Sequence, residues 1–386
     1  MSLTEATRLL RPYHIWVLAP YLESDDPNIQ HYYDFTHSIA EYTRVFDELR
    51  VSWKWQPVTI QNYREIIRNI AASANGKTPL VLNLCDGDEV NGTPGISVIR
   101  ELNKQGLIYT GSDEHFYQVT TSKIPMKKAF DKAGVSNAPW RVINNKKGSV
   151  RGICKRVGVP LLIKPAVSGG SMGVSVKNVV HSEEELLARV EQIHQGYRGW
   201  NLLVDGLFVE QFITGPEFTT FITGSADDPA NCRVYEPVER VFHPSLPKTE
   251  KFLSFDRLWE IYEDENPMPG NENFYEYRPA DARLVGELKQ LSMDAFTACG
   301  GKGYARIDIR MDENTGRLYM LEVNAQCGLS EDEDYTSIGA ILKVSGVSYS
   351  MIIGEILKDA LRRSMKAPVV KKTVHPKGVA RKARVK

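Results

Sequence analysis

Between residues 14 and 113 short apolar runs take turns with segments of helical periodicity, which leaves few architectures open. "HIWVLAP" (14–20) runs into a loop rich in Asp and Pro, and "DFTHSIAEYTRVFDELR" (34–50) then repeats Ile39, Tyr42, Val45, Phe46 and Leu49 at helical spacing. "VSWKWQPVTI", a polar helix near 61–72, "PLVLNLCDG" (79–87) and "LIYTGSD" (107–113) continue the pattern. Runs apolar on both faces and separated by helices imply a parallel sheet covered on both sides. Residues 1–120 are therefore expected to form an open α/β domain. No GxGxxG follows the first strand, so a dinucleotide site is not expected.

At 386 residues the chain exceeds one ordinary core and suits two or three subdomains. Lys plus Arg and Asp plus Glu are equal at 48 each, so no net field would draw nucleic acid or an anionic membrane, and neither is an expected partner. The N-terminus lacks a signal-like apolar region, and nowhere do 18 apolar residues run together. Five scattered cysteines without CxxC spacing suggest a reducing compartment, the cytoplasm. Residues 366–386 carry eight basic residues, two prolines and no acid, the composition of a flexible tail.

A second unit, 121–205, opens with "TSKIPMKKAFDKAGV", a helix capped at Ser122 and stopped at Gly134, followed by "GVPLLIKPAVSGGSMGVSVKNV", two strands joined by a Gly/Ser loop. A third, 206–365, begins at "LFVEQFITGPEFTTFITG", which reads as two antiparallel strands about a Gly-Pro turn. The Pro- and Asn-rich stretch 243–280 is too long for an idle connection and suits a lid. An amphipathic helix (281–300) then feeds the hairpin "YARIDIRMDENTGRLYMLEVNAQCGLS".

In that hairpin Arg306 and Asp308 share a face, as do Glu322 and Asn324, while Ile307, Ile309, Leu321 and Val323 face the other way. Three converging oxygen ligands suit a hard divalent cation with bound phosphate; a solvated face laced by cross-strand ion pairs explains the same residues about as well. Lys164 precedes a Gly/Ser loop whose N–H groups suit phosphate, although a plain hairpin turn also accounts for it. Glu210, beside apolar Phe208, Val209, Phe212 and Ile213, offers an acid for an adenine edge, and Glu217 one for ribose hydroxyls.

In order and spacing these segments resemble the ATP-grasp superfamily, and within it the D-alanine-D-alanine ligase group, from about residue 79 to 360. The resemblance implies an α/β fold, α+β in its C-terminal part, with ATP held between two α+β subdomains behind an N-terminal parallel sheet. It implies that Lys123 and Lys164 contact ATP phosphates under the loop Ser168, Gly169, Gly170, Ser171, Met172 and Gly173. Glu210, Gln211, Phe212 and Ile213 would line the adenine, and Glu217 would hold the ribose. Asp308, Glu322 and Asn324 would bind two Mg2+ ions, with Mn2+ as a substitute, and Arg306 with the Gly328 N–H would stabilise the oxyanion. The implied reaction is ADP-forming: a small-molecule carboxylate becomes an acyl phosphate, which an amine captures as an amide. A homodimer is also implied. The alternative readings are a non-catalytic ATP-binding regulator and a ligase acting on a peptide or protein terminus.

Two departures bear on substrates. Where the ligases have a Ser-Leu pair for the acceptor carboxylate, the chain reads Glu331, Asp332, Glu333 and Asp334, which would welcome a cation. A solvated acidic loop is the plain alternative. Arg278 in "NFYEYRPAD" stands near a family lysine and is expected to clamp phosphate. Glu23, Asp25, Asp26 and, in "NLCDG", Asp86 are candidate substrate contacts. Cys327 is expected to be a small packed residue rather than a nucleophile.

Overall fold

The computed structural model describes residues 2–22, 35–73, 76–144, 147–263, 265–332, 334 and 336–366. Glu23, Asp25, Asp26, Glu333 and the basic tail after Lys366 lie outside the described residues.

Strands β1 (Tyr13–Pro20), β2 (Trp53–Val58), β3 (Thr78–Asn83) and β4 (Ile108–Tyr109) pair in parallel in the order β2-β1-β3-β4. Alternate residues enter opposite cores. Ile15, Val17, Leu80 and Leu82 pack with Tyr42, Val45 and Phe46 of helix Thr36–Glu48, whereas Leu18 and Val81 pack with Ile67, Ile70, Val98 and Leu102. This is the covered parallel sheet that the apolar runs predict. Part of its cover comes from the far end of the chain: Ile352, Ile353 and Ile356 of helix Tyr349–Lys366 join the first of these cores.

The central sheet is antiparallel, in the order β5 (Trp140–Ile143), β8 (Leu207–Gln211), β6 (Leu161–Pro165), β7 (Val179–Val180). The third runs β12 (Tyr275–Pro279), β11 (Val238–Phe242), β9 (Glu217–Ser225), β13 (Lys302–Met311), β14 (Leu318–Ala325), with β10 (Arg233–Val234) also on β9. Every residue of β9 is buried, because helix Val285–Ala298 covers one face and the C-terminal helices the other.

One expectation changes. Residues 207–224 are not a hairpin: β8 pairs with β5 and β6, β9 pairs with β10, β11 and β13, and the Gly-Pro segment crosses between the two sheets. The central sheet consequently extends to Gln211 rather than ending before 206. The helix Lys123–Ala133 follows Ser122, whose hydroxyl makes no capping hydrogen bond, and ends at Gly134, which takes the left-handed conformation (φ 70°) that stops it.

Candidate active site

A cavity of about 1080 Å³ opens where the three sheets meet, at the upper end of what single-ligand pockets occupy. One wall is the hairpin. Cross-strand pairing sets Arg306 opposite Asn324 and Asp308 opposite Glu322, all four lining the cavity, while Ile307, Ile309, Met320 and Val323 enter the core beneath. Leu321 departs from the expected alternation and also lines the cavity. The register slips between Asp308 and Ile309, so that two β14 residues stand against one.

Asp308 Oδ2 accepts from Arg306 Nη2 at 3.0 Å and from Asn324 Nδ2 at 3.0 Å, but its Oδ1 is buried with no hydrogen-bond partner. A buried carboxylate oxygen without a donor is costly unless a cation faces it, so the site fits a metal ion. Glu322 sits 3.2 Å from Lys123 Nζ. Burial opposes its charge, yet Lys123, Lys164 and Arg306 outweigh burial and hold the carboxyl at about 2.

The opposite wall carries the lysines. Lys123, in the first turn of its helix, donates to Ser168 O at 2.8 Å and so reaches the Gly/Ser loop. Lys164, next to last in β6, lies 2.6 Å from Glu210 Oε1; Lys127, 1 % exposed, lies 2.5 Å from Glu210 Oε2. Glu210 thus has a role the sequence did not reveal, neutralising two lysines, and its carboxylate is turned to them rather than left for an adenine edge. Despite the burial that raises it, these two cations hold Glu210 at about 2. Glu217 likewise has one oxygen on Arg240 and the other on Arg310, the latter at 2.7 Å. Lys127, Arg240 and Arg310 escaped the sequence reading because each acts through a partner distant in the chain.

An apolar slot of Leu162, Val174, Phe212 and Phe252 lies between these walls, beside Gln211 and Ile213. The 243–280 stretch covers it as expected of a lid, but as folded structure. Ser171 Oγ donates to Leu253 O at 2.9 Å, Phe255 N–H to Val174 O at 2.8 Å, and Trp259 Nε1–H to Gly170 O at 2.8 Å. Ser171 and Gly170 hold left-handed backbone (φ 60° and 53°), which folds the loop Ser168–Gly173 back over the lysines.

Arg278 is not at the site. It alternates on edge strand β12 with Tyr275 and Tyr277, which line the cavity, and so points outward, exposed and paired with Glu276. Arg240 of neighbouring β11 faces the cavity instead, as Arg306 and Arg310 of β13 do, and lies near the rings of Tyr275 and Tyr277 at 5.4 and 5.5 Å.

The described acids of the run stand away from the cavity as well. Glu331 pairs with Arg44 of helix Thr36–Glu48, and neither it, Asp332 nor Asp334 lines the cavity. Ser330, Thr336, Ser337 and Ile338 do, with Thr336 capping helix Ser337–Ser345 by accepting from Gly339 N–H at 3.0 Å. A serine-aliphatic pair therefore exists after all, displaced past the acids. Gly328 and Asp86 line the cavity too. Cys327 is buried and burial pushes its thiol up to about 12, as a packed residue requires.

The family profile described as "D-ala D-ala ligase C-terminus" matches residues 129–358. The D-alanine–D-alanine ligase of Marinobacter nauticus is 28% identical over 268 residues, covering 69% of this chain and 71% of that protein. That of Acetivibrio thermocellus is 26% identical over 356 residues, covering 86% and 78%. Among solved structures, the Bacillus anthracis D-alanine–D-alanine ligase complexed with ATP superposes with a TM-score of 0.63 at 18% identity, over 91% of this chain and 98% of that one. The Coxiella burnetii enzyme gives 0.60 at 15%, over 92% and 96%. The fold is thus the ATP-grasp fold of these ligases. With its profile matched over more than half of its length, the chain belongs to the D-alanine–D-alanine ligase C-terminus family.

Proposed function

We propose that the protein is an ATP-dependent, ADP-forming carboxylate-amine ligase that activates a substrate carboxylate as an acyl phosphate and joins it to an amine, both substrates being amino acids or derivatives. The observation that carries this reading is the meeting of Arg306, Asp308, Glu322 and Asn324 with Lys123 and Lys164 in one cavity. Cations on one wall and carboxylates on the other are what a polyanion with bound metal requires.

In this reading the adenine occupies the slot beside Phe212 and Ile213, and the phosphates lie between Lys123, Lys164 and the loop Ser168–Gly173. Asp308, Glu322 and Asn324 would hold Mg2+, which when bound supplies neutralisation of phosphate charge; Mn2+ would substitute. Arg306 and the Gly328 N–H face the carbonyl oxygen that gains charge as the amine attacks. Arg240 takes the place expected of Arg278 as a further cation of the third sheet facing the phosphates. The lid segment excludes water from the acyl phosphate. Ser337 and the first turn of its helix suit an acceptor carboxylate, since unsatisfied N–H groups gather there. We further propose a cytoplasmic location and a homodimer.

A phosphate-release screen of D- and L-amino acid pairs tests the reading. Release that needs both an acid and an amine is expected. ATP binding without turnover on any pair would overturn it.

A further inference from the structure

We propose that Asp86 binds the ammonium of the attacking amine and accepts its proton, making it a catalytic residue at the acceptor end of the cavity. The proposal rests on the ligase reading above and names its base.

Six acids line the cavity. Five are already neutralised or hydrogen-bonded. Glu210 and Glu217 each hold two cations, Glu322 holds Lys123, Asp308 holds Arg306 and Asn324, and Asp88 accepts from the N–H groups of Val90 and Asn91 at 2.9 and 3.0 Å. Among the described residues no side chain pairs with Asp86; its carboxylate accepts only from its own backbone N–H. Its side chain is exposed and lines the cavity. An anion so placed lacks a counter-cation, and the amine substrate arrives as one.

Its position is fixed against the hairpin. Gln326, in left-handed backbone (φ 55°) between Asn324 and Gly328, donates from Nε2 to Cys85 O at 2.6 Å and accepts Ser112 N–H at 3.1 Å. The residue before Asp86 is thereby tied to the strand end that carries the oxyanion donor. The residue after it is tied as well: Gly87 O accepts from Tyr117 Oη at 2.7 Å, and a Cβ on Gly87 would fall 2.2 Å from Thr93 O. Such a base is held before substrate arrives.

The titratable groups that register the charge of Asp86 are Cys85, Tyr117, Tyr304 and Cys327, all raised by burial and neutral at pH 7. With no cation opposing, desolvation pushes Asp86 up to about 6, nearer the ~8 of an α-amino group than a free carboxylate stands. The step balances. The ammonium gives one proton to Asp86, the freed nitrogen pair forms the C–N bond, and the C–O bond to phosphate breaks with its electrons on phosphate. The second N–H proton leaves with the phosphate, giving amide, hydrogen phosphate and protonated Asp86.

Two nucleophiles separate the outcomes: hydroxylamine, neutral at pH 7, and ammonium acceptors, supplied as D-alanine or as an equimolar mixture of L-amino acids. Asp86→Asn is expected to lose about 10²–10⁴-fold with the ammonium acceptors while keeping hydroxamate formation within about threefold. Its profile would lose the limb near pH 6, and Asp86→Glu would recover part of the rate. Thermal midpoint and ATP affinity of both variants verify folding. Equal losses with both nucleophiles, or no loss, overturn the proposal. Absence of hydroxamate from the wild-type protein with every donor would instead sink the ligase reading itself.

Discussion

Replacing Glu210 by Gln removes the shared counter-charge of Lys127 and Lys164, 2.5 and 2.6 Å away, and leaves Lys127 at 1 % exposure without its ion pair. Breaking a buried pair from one side costs about 3–5 kcal/mol. A second route agrees: holding Glu210 at about 2 rather than its ordinary 4.5 corresponds to about 3 kcal/mol of stabilisation at neutral pH. Lys127, whose charge burial already disfavours, sheds its proton in the variant and keeps the loss near the lower figure. Glu210→Gln should therefore lose about 3 kcal/mol, a midpoint drop of about 6–12 °C if the two ATP-grasp subdomains unfold together. The sign with pH follows. Because the folded value is depressed, the contribution is complete above 4.5 and fades as pH falls toward about 2, so the variant's stability should vary less over that window. Circular dichroism melts at pH 7 and pH 3 measure both effects. Lys127→Met combined with Glu210→Gln should recover most of the loss by removing the buried, unpaired amine. A single variant within about 1 kcal/mol of wild type at pH 7 would refute the reasoning.

Arg278→Ala should leave kcat and KM for ATP unchanged, because the side chain points to solvent, whereas Arg240→Ala should raise KM for ATP at least about tenfold by taking a cation from the cavity wall and leaving Glu217 with Arg310 alone; equal effects on steady-state kinetics would contradict the placement. Trp259→Ala unties the lid from Gly170, so ADP formed per amide should rise while the melting midpoint moves by less than about 3 °C; an unchanged ratio means another contact seals the cavity. Gln326→Ala strands Cys85 O and Ser112 N–H, and urea unfolding should show a loss of about 2–4 kcal/mol; less than about 1 kcal/mol would mean water replaces both bonds.

How much of this was legible depended on whether the signal was local. The hairpin's polar face follows from a period of two, and the structure keeps Arg306, Asp308, Glu322 and Asn324 together on it. Leu321 breaks the alternation because a bulge leaves no mark in a period-two pattern. The strands of 207–224 are both apolar about a Gly-Pro turn, and nothing in such a pattern says whether neighbours in sequence pair with each other or enter different sheets. The acids at 331–334 carried the right charge for a cation, but Arg44, which takes Glu331, is remote in the chain. For the same reason nothing local in the sequence singles out Lys127, Arg240 or Arg310, which only folding brings to Glu210 and Glu217. Closeness to a motif puts Arg278 near the site, but strand parity, which separates it from Tyr275 and Tyr277, turns it outward.

The account depends on Asp308 and Glu322 presenting oxygens to a cation beside the nucleotide phosphates. Electron paramagnetic resonance of Mn2+ titrated into the protein with ATP measures this directly, comparing wild type with Asp308→Ala. The account predicts ATP-dependent, protein-bound Mn2+ in wild type and a loss of at least about tenfold in its affinity in the variant, with ATP still bound. Equal Mn2+ affinity in the two proteins would contradict it.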